Sequence, residues 1–109
     1  MMSNAIIYCR SATADQQSDA QLSRQKEDCL AYARAHGYEV IEIISEAGFS
    51  GLDQSRQGLQ KLFALCDENE IKAVITRDIE RLSRDRHHFN NLMQAFADKR
   101  IELVTLNRF

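Results

Sequence analysis

The chain has 109 residues, of which 44% are hydrophobic and 28% are charged, and its formal net charge is −2. This length suits one small domain, and no apolar run approaches the roughly 18 residues that a membrane-spanning helix needs. The N-terminal residues 1–4 lack the basic and apolar stretches of a signal peptide, so we expect a cytoplasmic protein. A slightly negative charge argues against nucleic-acid binding unless the basic residues cluster.

Four short apolar runs predict β-strands, at residues 5–9, 39–44, 73–76 and 103–106. Three helical patterns separate them, the first from about Ser18 to His36 with Gly37 as its C-terminal cap. The other two carry apolar residues at helical spacing, which we interpret as faces of the core: Leu59, Leu62, Phe63 and Cys66, then Phe89, Leu92, Met93 and Phe96.

Strands that alternate with helices predict an α/β fold. We expect one three-layer domain over residues 1–109, with a mainly parallel sheet of about four strands and helices on both faces. In such sheets, sites form beyond the carboxyl ends of the strands, which here are residues 10–17, 45–56 and 77–86. The three cysteines (Cys9, Cys29 and Cys66) have no metal-ligand spacing, so we predict buried thiols and no metal or cofactor. His87 and His88 are interpreted as surface or near-site polar residues.

Four arginines follow the predicted strands and should converge on one rim of the sheet: Arg10, Arg56, Arg81 and Arg84. Arginine presents fixed, planar donors that match phosphate oxygens, and several of them can stabilise a phosphoryl-transfer transition state without a metal. The charged run at 77–85 is equally typical of a solvated helix start with ion pairs, and residues 48–51 of a plain turn.

Several motifs, in order along nearly the whole chain, resemble those of the serine recombinases, the resolvase/invertase family. Residues 8–16, Tyr-Cys-Arg-Ser-Ala-Thr-Ala-Asp-Gln, are similar to the family's Tyr-x-Arg-x-Ser-Thr-x-x-Gln opening. Three further segments resemble the large serine recombinase branch: the helix with Gln25, Cys29 and Tyr32-Ala33, the stretch Glu46–Gly51 followed by Arg56, and the block Glu80–Arg84.

The resemblance implies a resolvase-like fold and site-specific DNA recombination. In the family, a serine attacks a DNA phosphodiester, forms a 5′-phosphoserine link and frees a 3′-hydroxyl, and the ends are exchanged within a tetramer without metal or cofactor. The implied site residues are Arg10, Arg81 and Arg84 around the scissile phosphate, Arg56 in support, Ser50 and Gln25 nearby, and Glu80 where the family has Asp.

Ala12 occupies the position of the nucleophilic serine, and alanine cannot attack phosphorus. We therefore expect an inactive or impaired recombinase. Ser11 is a candidate substitute nucleophile, but it lies one residue too early. If the strand is still extended there, its side chain points away from the arginines, whereas a loop could turn it back. Glu46, like Glu80, replaces an Asp and adds a methylene.

Other functions remain open on the sequence. A non-catalytic DNA-binding or assembly module, a pseudo-recombinase, would keep the arginines and make no covalent intermediate. A phosphoacceptor receiver or nucleotide-binding domain is disfavoured, because Asp15 is the one carboxylate after the first strand and no phosphate-binding loop motif is present. A metal-dependent nuclease is disfavoured because its candidate ligands, Glu46, Asp78 and Glu80, alternate with arginines.

The partners implied are DNA and further copies of the chain, with no membrane. We expect this chain to lack the family's long helix and DNA-binding domain, and so to bind DNA weakly as a monomer or weak dimer.

Overall fold

The computed structural model describes residues 3–11, 16–46, 57–68, 70–77 and 86–106. Four strands and three helices alternate over these ranges. They are β1 (Ser3–Arg10), α1 (Gln16–Ala35), β2 (Tyr38–Glu46), α2 (Gln57–Glu68), β3 (Ala73–Thr76), α3 (Arg86–Asp98) and β4 (Glu102–Thr105). The predicted elements are confirmed. Strands β1 and β2 extend one or two residues beyond their apolar runs at each end, β3 matches its run, and β4 begins and ends one residue earlier. Gly37 has φ 75°, the left-handed conformation expected of a residue that ends a helix.

The four strands form one parallel sheet in the order β2-β1-β3-β4, which confirms the predicted fold class. The chain moves from β1 to β2 in one direction and then from β2 through β3 to β4 in the other. Crossovers between parallel strands are right-handed, so a reversal of direction moves the connecting helix to the opposite face. Accordingly, α1 covers one face, while α2 and α3 cover the other.

The central strands are buried on both faces, which is why β1 and β3 appear in the sequence as continuous apolar runs. Alternate residues of β1 enter separate core clusters. Ala5, Ile7 and Cys9 pack with residues of α1, whereas Ile6 and Tyr8 pack with residues of α2 and α3. This alternation decides which face of the sheet each residue at the end of the strand points to.

Helix α3 corrects one prediction and limits another. Met93, predicted in the core, is 38% exposed, and His88, predicted as a surface or near-site residue, is buried and so is not a surface residue. The buried residues of α3 are His88, Leu92 and Phe96, spaced at i, i+4 and i+8. The helix therefore presents a narrower line to the sheet than the apolar pattern indicated, and Met93 lies on its flank.

Within the described ranges, no helix has both the length and the apolar character needed to cross a membrane.

The three cysteines are free and buried, as predicted. Burial raises the pKa of the Cys29 thiol to about 12, with Cys9 and Asp28 adding to the rise and the Arg77 guanidinium opposing it. Burial likewise raises the pKa of Cys66 to about 11. Both thiols consequently stay protonated at pH values well above 9.0, the ordinary pKa of a cysteine thiol.

These thiols should make the fold sensitive to alkali. In the unfolded chain they lose their protons near pH 9, whereas the folded chain keeps them protonated, so the stability present below pH 9 is lost as the pH rises towards 12. Urea unfolding measured near neutrality and at about pH 10 should show this fall in the free energy of unfolding. We expect Cys29→Ala to make the fall shallower. An equal pH dependence in the variant would contradict the assignment.

Candidate functional site

The carboxyl ends of β1 and β3 form the point where the sheet reverses its winding, and in parallel α/β sheets this is where ligands bind. Arg10 is the last residue of β1, and Arg77 directly follows β3. The backbone ladder between the two strands covers Ala5 to Ile7 on β1. Beyond it, the peptide groups of β1 that face β3 need other partners, because a buried, unpaired N–H or C=O is costly.

Two side chains supply those partners in turn. The Thr76 hydroxyl donates to the carbonyl oxygen of Tyr8 at 2.9 Å. Arg10 lies two residues after Tyr8 on β1. Its backbone N–H and C=O both pair with the side-chain amide of Gln25, a residue of α1. Its Oε1 accepts from the Arg10 N–H at 3.2 Å, and its Nε2 donates to the Arg10 carbonyl oxygen at 3.0 Å. The Gln25 amide thus acts as a one-residue substitute for a neighbouring strand.

The Gln25 amide is shielded from water. Gln25 is 1% exposed, and Arg10 is 2% exposed. Because the pairing uses the backbone of Arg10, it fixes the end of β1 while leaving the guanidinium for other contacts. Gln25 was predicted to assist near the scissile phosphate, and the structure gives it a definite contact, with the strand end rather than with a side chain.

Ser11 follows Arg10 and continues the pairing with β2. Its N–H donates to the carbonyl oxygen of Glu46 at 2.9 Å, and the residue is fully buried. Side chains alternate along β1, and Arg10 shares the parity of Ile6 and Tyr8, which face α2 and α3. Ser11 lies just past the end of β1 and shares the parity of the residues that face α1. The alternation of β1, which the Ser11–Glu46 hydrogen bond continues, therefore predicts opposite faces for Arg10 and Ser11.

Glu46, the last residue of β2, joins three elements through its carboxylate. The Tyr8 hydroxyl donates to Oε1 at 2.5 Å, and the Gly58 N–H donates to Oε2 at 3.1 Å. Gly58 lies in the first turn of α2, where free N–H groups and the helix dipole favour a negative charge. The carboxylate therefore ties the start of α2 to the ends of β1 and β2.

Gly58 permits this close approach. A Cβ atom built on Gly58 would lie 2.3 Å from both Cδ and Oε1 of Glu46, and 2.7 Å from its Cγ. These distances are far below van der Waals contact, so glycine is required for as long as the carboxylate stays in place. The segment between Glu46 and α2 contains two predicted site residues, Ser50 and Arg56, and lies outside the described residues. The Glu46 contacts join the described residues on either side of it.

Of the predicted site residues, the structure describes Arg10, Ser11 and Gln25, and it brings all three together at the end of β1. The others lie outside the described residues: Ala12, Ser50, Arg56, Glu80, Arg81 and Arg84. In the part of the chain that is described, no three His, Cys, Asp or Glu side chains are grouped as metal ligands would be.

The Tyr8–Glu46–Gly58 arrangement was not predicted from the sequence. Tyr8 and Glu46 were noted as parts of motifs, without a contact between them. The available signal was Gly58 itself, since a glycine in the first turn of a helix lowers helix stability and needs a reason. Its reason is steric, and it depends on a residue 12 positions earlier in the chain.

Gln25→Ala should destabilise the fold, because it leaves the buried N–H and C=O of Arg10 without partners. Each such group costs about 1–3 kcal/mol. Gln25→Glu keeps the acceptor but places a buried carboxylate oxygen against the Arg10 carbonyl oxygen, so we expect a loss at least as large at neutral pH. Urea unfolding measures both, with Gln21→Ala, an exposed site one turn earlier on α1, as the control. A Gln25→Ala variant as stable as that control would disprove the pairing.

Gly58→Ala should also destabilise the fold, although Gly→Ala within a helix ordinarily stabilises by roughly 0.5–1 kcal/mol. The opposite sign is expected because the new Cβ meets the Glu46 carboxylate. In a Glu46→Ala background the clashing atoms are gone, and the cost of Gly58→Ala should shrink. A double-mutant cycle by urea unfolding tests this coupling. Additive effects of the two substitutions would rule it out.

Comparison with known proteins gives a consistent result over almost the entire chain. A family model described as "Resolvase, N terminal domain" matches residues 5–109. The C-terminal catalytic domain of ISC1926 TnpA, an IS607-like serine recombinase, is 31% identical with a TM-score of 0.86, over 96% of this chain and 68% of that one.

Two other solved structures agree. The N-terminal catalytic domain of TP901-1 integrase is 27% identical with a TM-score of 0.90, over 96% of this chain and 79% of that one. The first open reading frame of transposon ISC1904 from Sulfolobus solfataricus P2 is 28% identical with a TM-score of 0.74, over 96% of this chain and 68% of that one.

Proposed function

Because the chain belongs to the resolvase N-terminal domain family of serine recombinases, we propose that it binds a DNA phosphodiester at the carboxyl edge of its sheet. We further propose that its DNA strand cleavage is impaired, since Ala12 stands at the position of the nucleophile. The observation that carries the proposal is the Gln25 amide pair, which fixes Arg10 at the winding reversal of the sheet.

The proposed phosphate site combines Arg10 with Arg56, Arg81 and Arg84, assisted by Ser50, Gln25 and Glu80. Guanidinium groups stabilise the negative charge that grows on phosphate oxygens during transfer, and they need no metal to do so. Their effect depends on position, because a misplacement of about 1 Å can reduce the rate on the order of a hundredfold. A backbone held rigidly at Arg10 supports such precision at one of the four positions.

The impairment follows from chemistry at residue 12. With serine there, the hydroxyl oxygen would bond to phosphorus as the bond from phosphorus to the 3′ oxygen breaks. This would give a 5′-phosphoserine and a free 3′-hydroxyl. Alanine has no oxygen to form that bond. Ser11 is a poor replacement, because its parity directs it towards α1, away from the side of Arg10.

Restoring the serine tests the proposal. The chain and its Ala12→Ser variant are incubated with a pool of mixed-sequence nicked DNA duplexes labelled at the 3′ end. A nick traps the covalent product, because the short released strand diffuses away and cannot be rejoined. On a denaturing gel we expect a labelled protein–DNA adduct with Ala12→Ser and none with the unaltered chain. Adding Arg10→Gln to Ala12→Ser should abolish the adduct.

Two results would change the conclusion. An adduct formed by the unaltered chain and lost on Ser11→Ala would identify Ser11 as the nucleophile and overturn the impairment. DNA binding without any adduct from Ala12→Ser would favour the second candidate, a non-catalytic DNA-binding or assembly module. Ala12 is the residue that favours this second candidate.

A further inference from the structure

Two further arginines line a cleft at the same sheet edge as Arg10, on the face that α1 covers. The cleft has a volume of about 250 Å³, and its described lining is Ala20, Gln21 and Arg24 of α1 together with Arg77, which follows β3. Arg24 is exposed and Arg77 is half-buried. Neither arginine belongs to the recombinase motifs described above.

The cleft lies on the α1 side of the sheet. Ala73 and Ile75 of β3 pack in the core cluster that includes residues of α1, and Arg77 continues their parity. The Arg77 charge also acts on the thiol of Cys29, a buried residue of α1. Arg10 shares the parity of the residues that face α2 and α3 instead. The Arg24–Arg77 cleft is therefore separate from the side of the sheet where Arg10 points.

In the described part of the chain, no carboxylate forms an ion pair with Arg24 or Arg77. Within the described part of the chain, the ion pairs join Lys61 to Glu42, Lys72 to Glu70, and Lys99 to Asp67, and none includes Arg24 or Arg77. Two guanidinium groups facing one cleft repel each other unless an anion lies between them. The small side chain of Ala20 leaves room for such a group to approach.

We propose that the Arg24–Arg77 cleft binds a backbone phosphate of DNA, at a position distinct from the phosphate bound on the Arg10 side. The inference rests on the proposed function, since it takes DNA as the partner. A chain with net charge −2 needs local cationic sites to bind a polyanion, and arginine pairs suit phosphate oxygens through several directed donors. Contacts on both faces of the edge would fix the direction of the DNA strand across it.

Gln25 gives the two sites a physical connection. It is the residue after Arg24 on α1, and its amide holds the backbone of Arg10. A phosphate held at Arg24 would thus be fixed relative to Arg10 through one helix and one buried amide pair.

Salt-dependent DNA binding provides the test. A fluorescent mixed-sequence duplex is titrated by anisotropy with the chain, with the double variant Arg24→Gln/Arg77→Gln, and with a control that loses equal charge, Lys26→Gln/Arg34→Gln. Both control residues are exposed on α1. We expect the first variant to bind on the order of tenfold more weakly at low salt. Its slope of log K against log salt should be shallower by about 0.9, the value for one phosphate contact. The control should change less in both respects.

Equal changes in the two double variants would overturn the cleft and leave DNA binding intact. A chain that binds no duplex at low salt would instead overturn the proposed function. A second measurement is made on the anion site alone, using inorganic phosphate and the NMR signals of the arginine Nε–H groups. Phosphate should shift the signals of Arg24 and Arg77 and leave that of Arg34 in place. Uniform or absent shifts would count against the cleft even if DNA binds.

Discussion

The arrangement of the site depends on one pair of hydrogen bonds, between the side-chain amide of Gln25 and the backbone of Arg10. The sheet reverses its winding between β1 and β3, and there the peptide groups of β1 run beyond their strand partner. Thr76 and then Gln25 satisfy them, which allows β1 to stay extended as far as Arg10. Without these partners, the end of β1 would carry buried, unpaired backbone N–H and C=O groups, and the backbone of Arg10 would not be held in one position.

In a parallel sheet with helices on both faces, consecutive residues of a strand direct their side chains to opposite faces and so to different surroundings. Arg10 and Ser11 are neighbours in sequence, yet the alternation along β1 assigns them to opposite faces. The same alternation along β3 assigns Arg77 to the α1 side, where it lines a cleft with residues of α1. Under the function that we propose, a hydroxyl absent at residue 12 would consequently be difficult to supply from residue 11. The two cationic regions that we propose for DNA follow from the same rule, since they lie on the two sides of one sheet edge.

Glu46 shows how a single carboxylate joins three elements of the fold. It accepts from Tyr8 on β1 and from Gly58 at the start of α2, and it is itself the last residue of β2. The described residues on either side of the segment that carries Ser50 and Arg56 are thereby joined to the core. The longer Glu side chain, where the family resemblance implies Asp, fits because Gly58 has no Cβ in its way.

The sequence by itself determined the class of fold, because buried central strands require continuous apolar runs and helices require apolar residues at a spacing of three and four. It also determined the family, through motifs spread along the chain. Only the tertiary structure decided the contacts of Gln25, the fit of Glu46 against Gly58, the exposure of Met93 and the Arg24–Arg77 cleft. Each of these depends on how elements distant in sequence pack together. The periodicity of one element does not show which atoms of another element its residues contact.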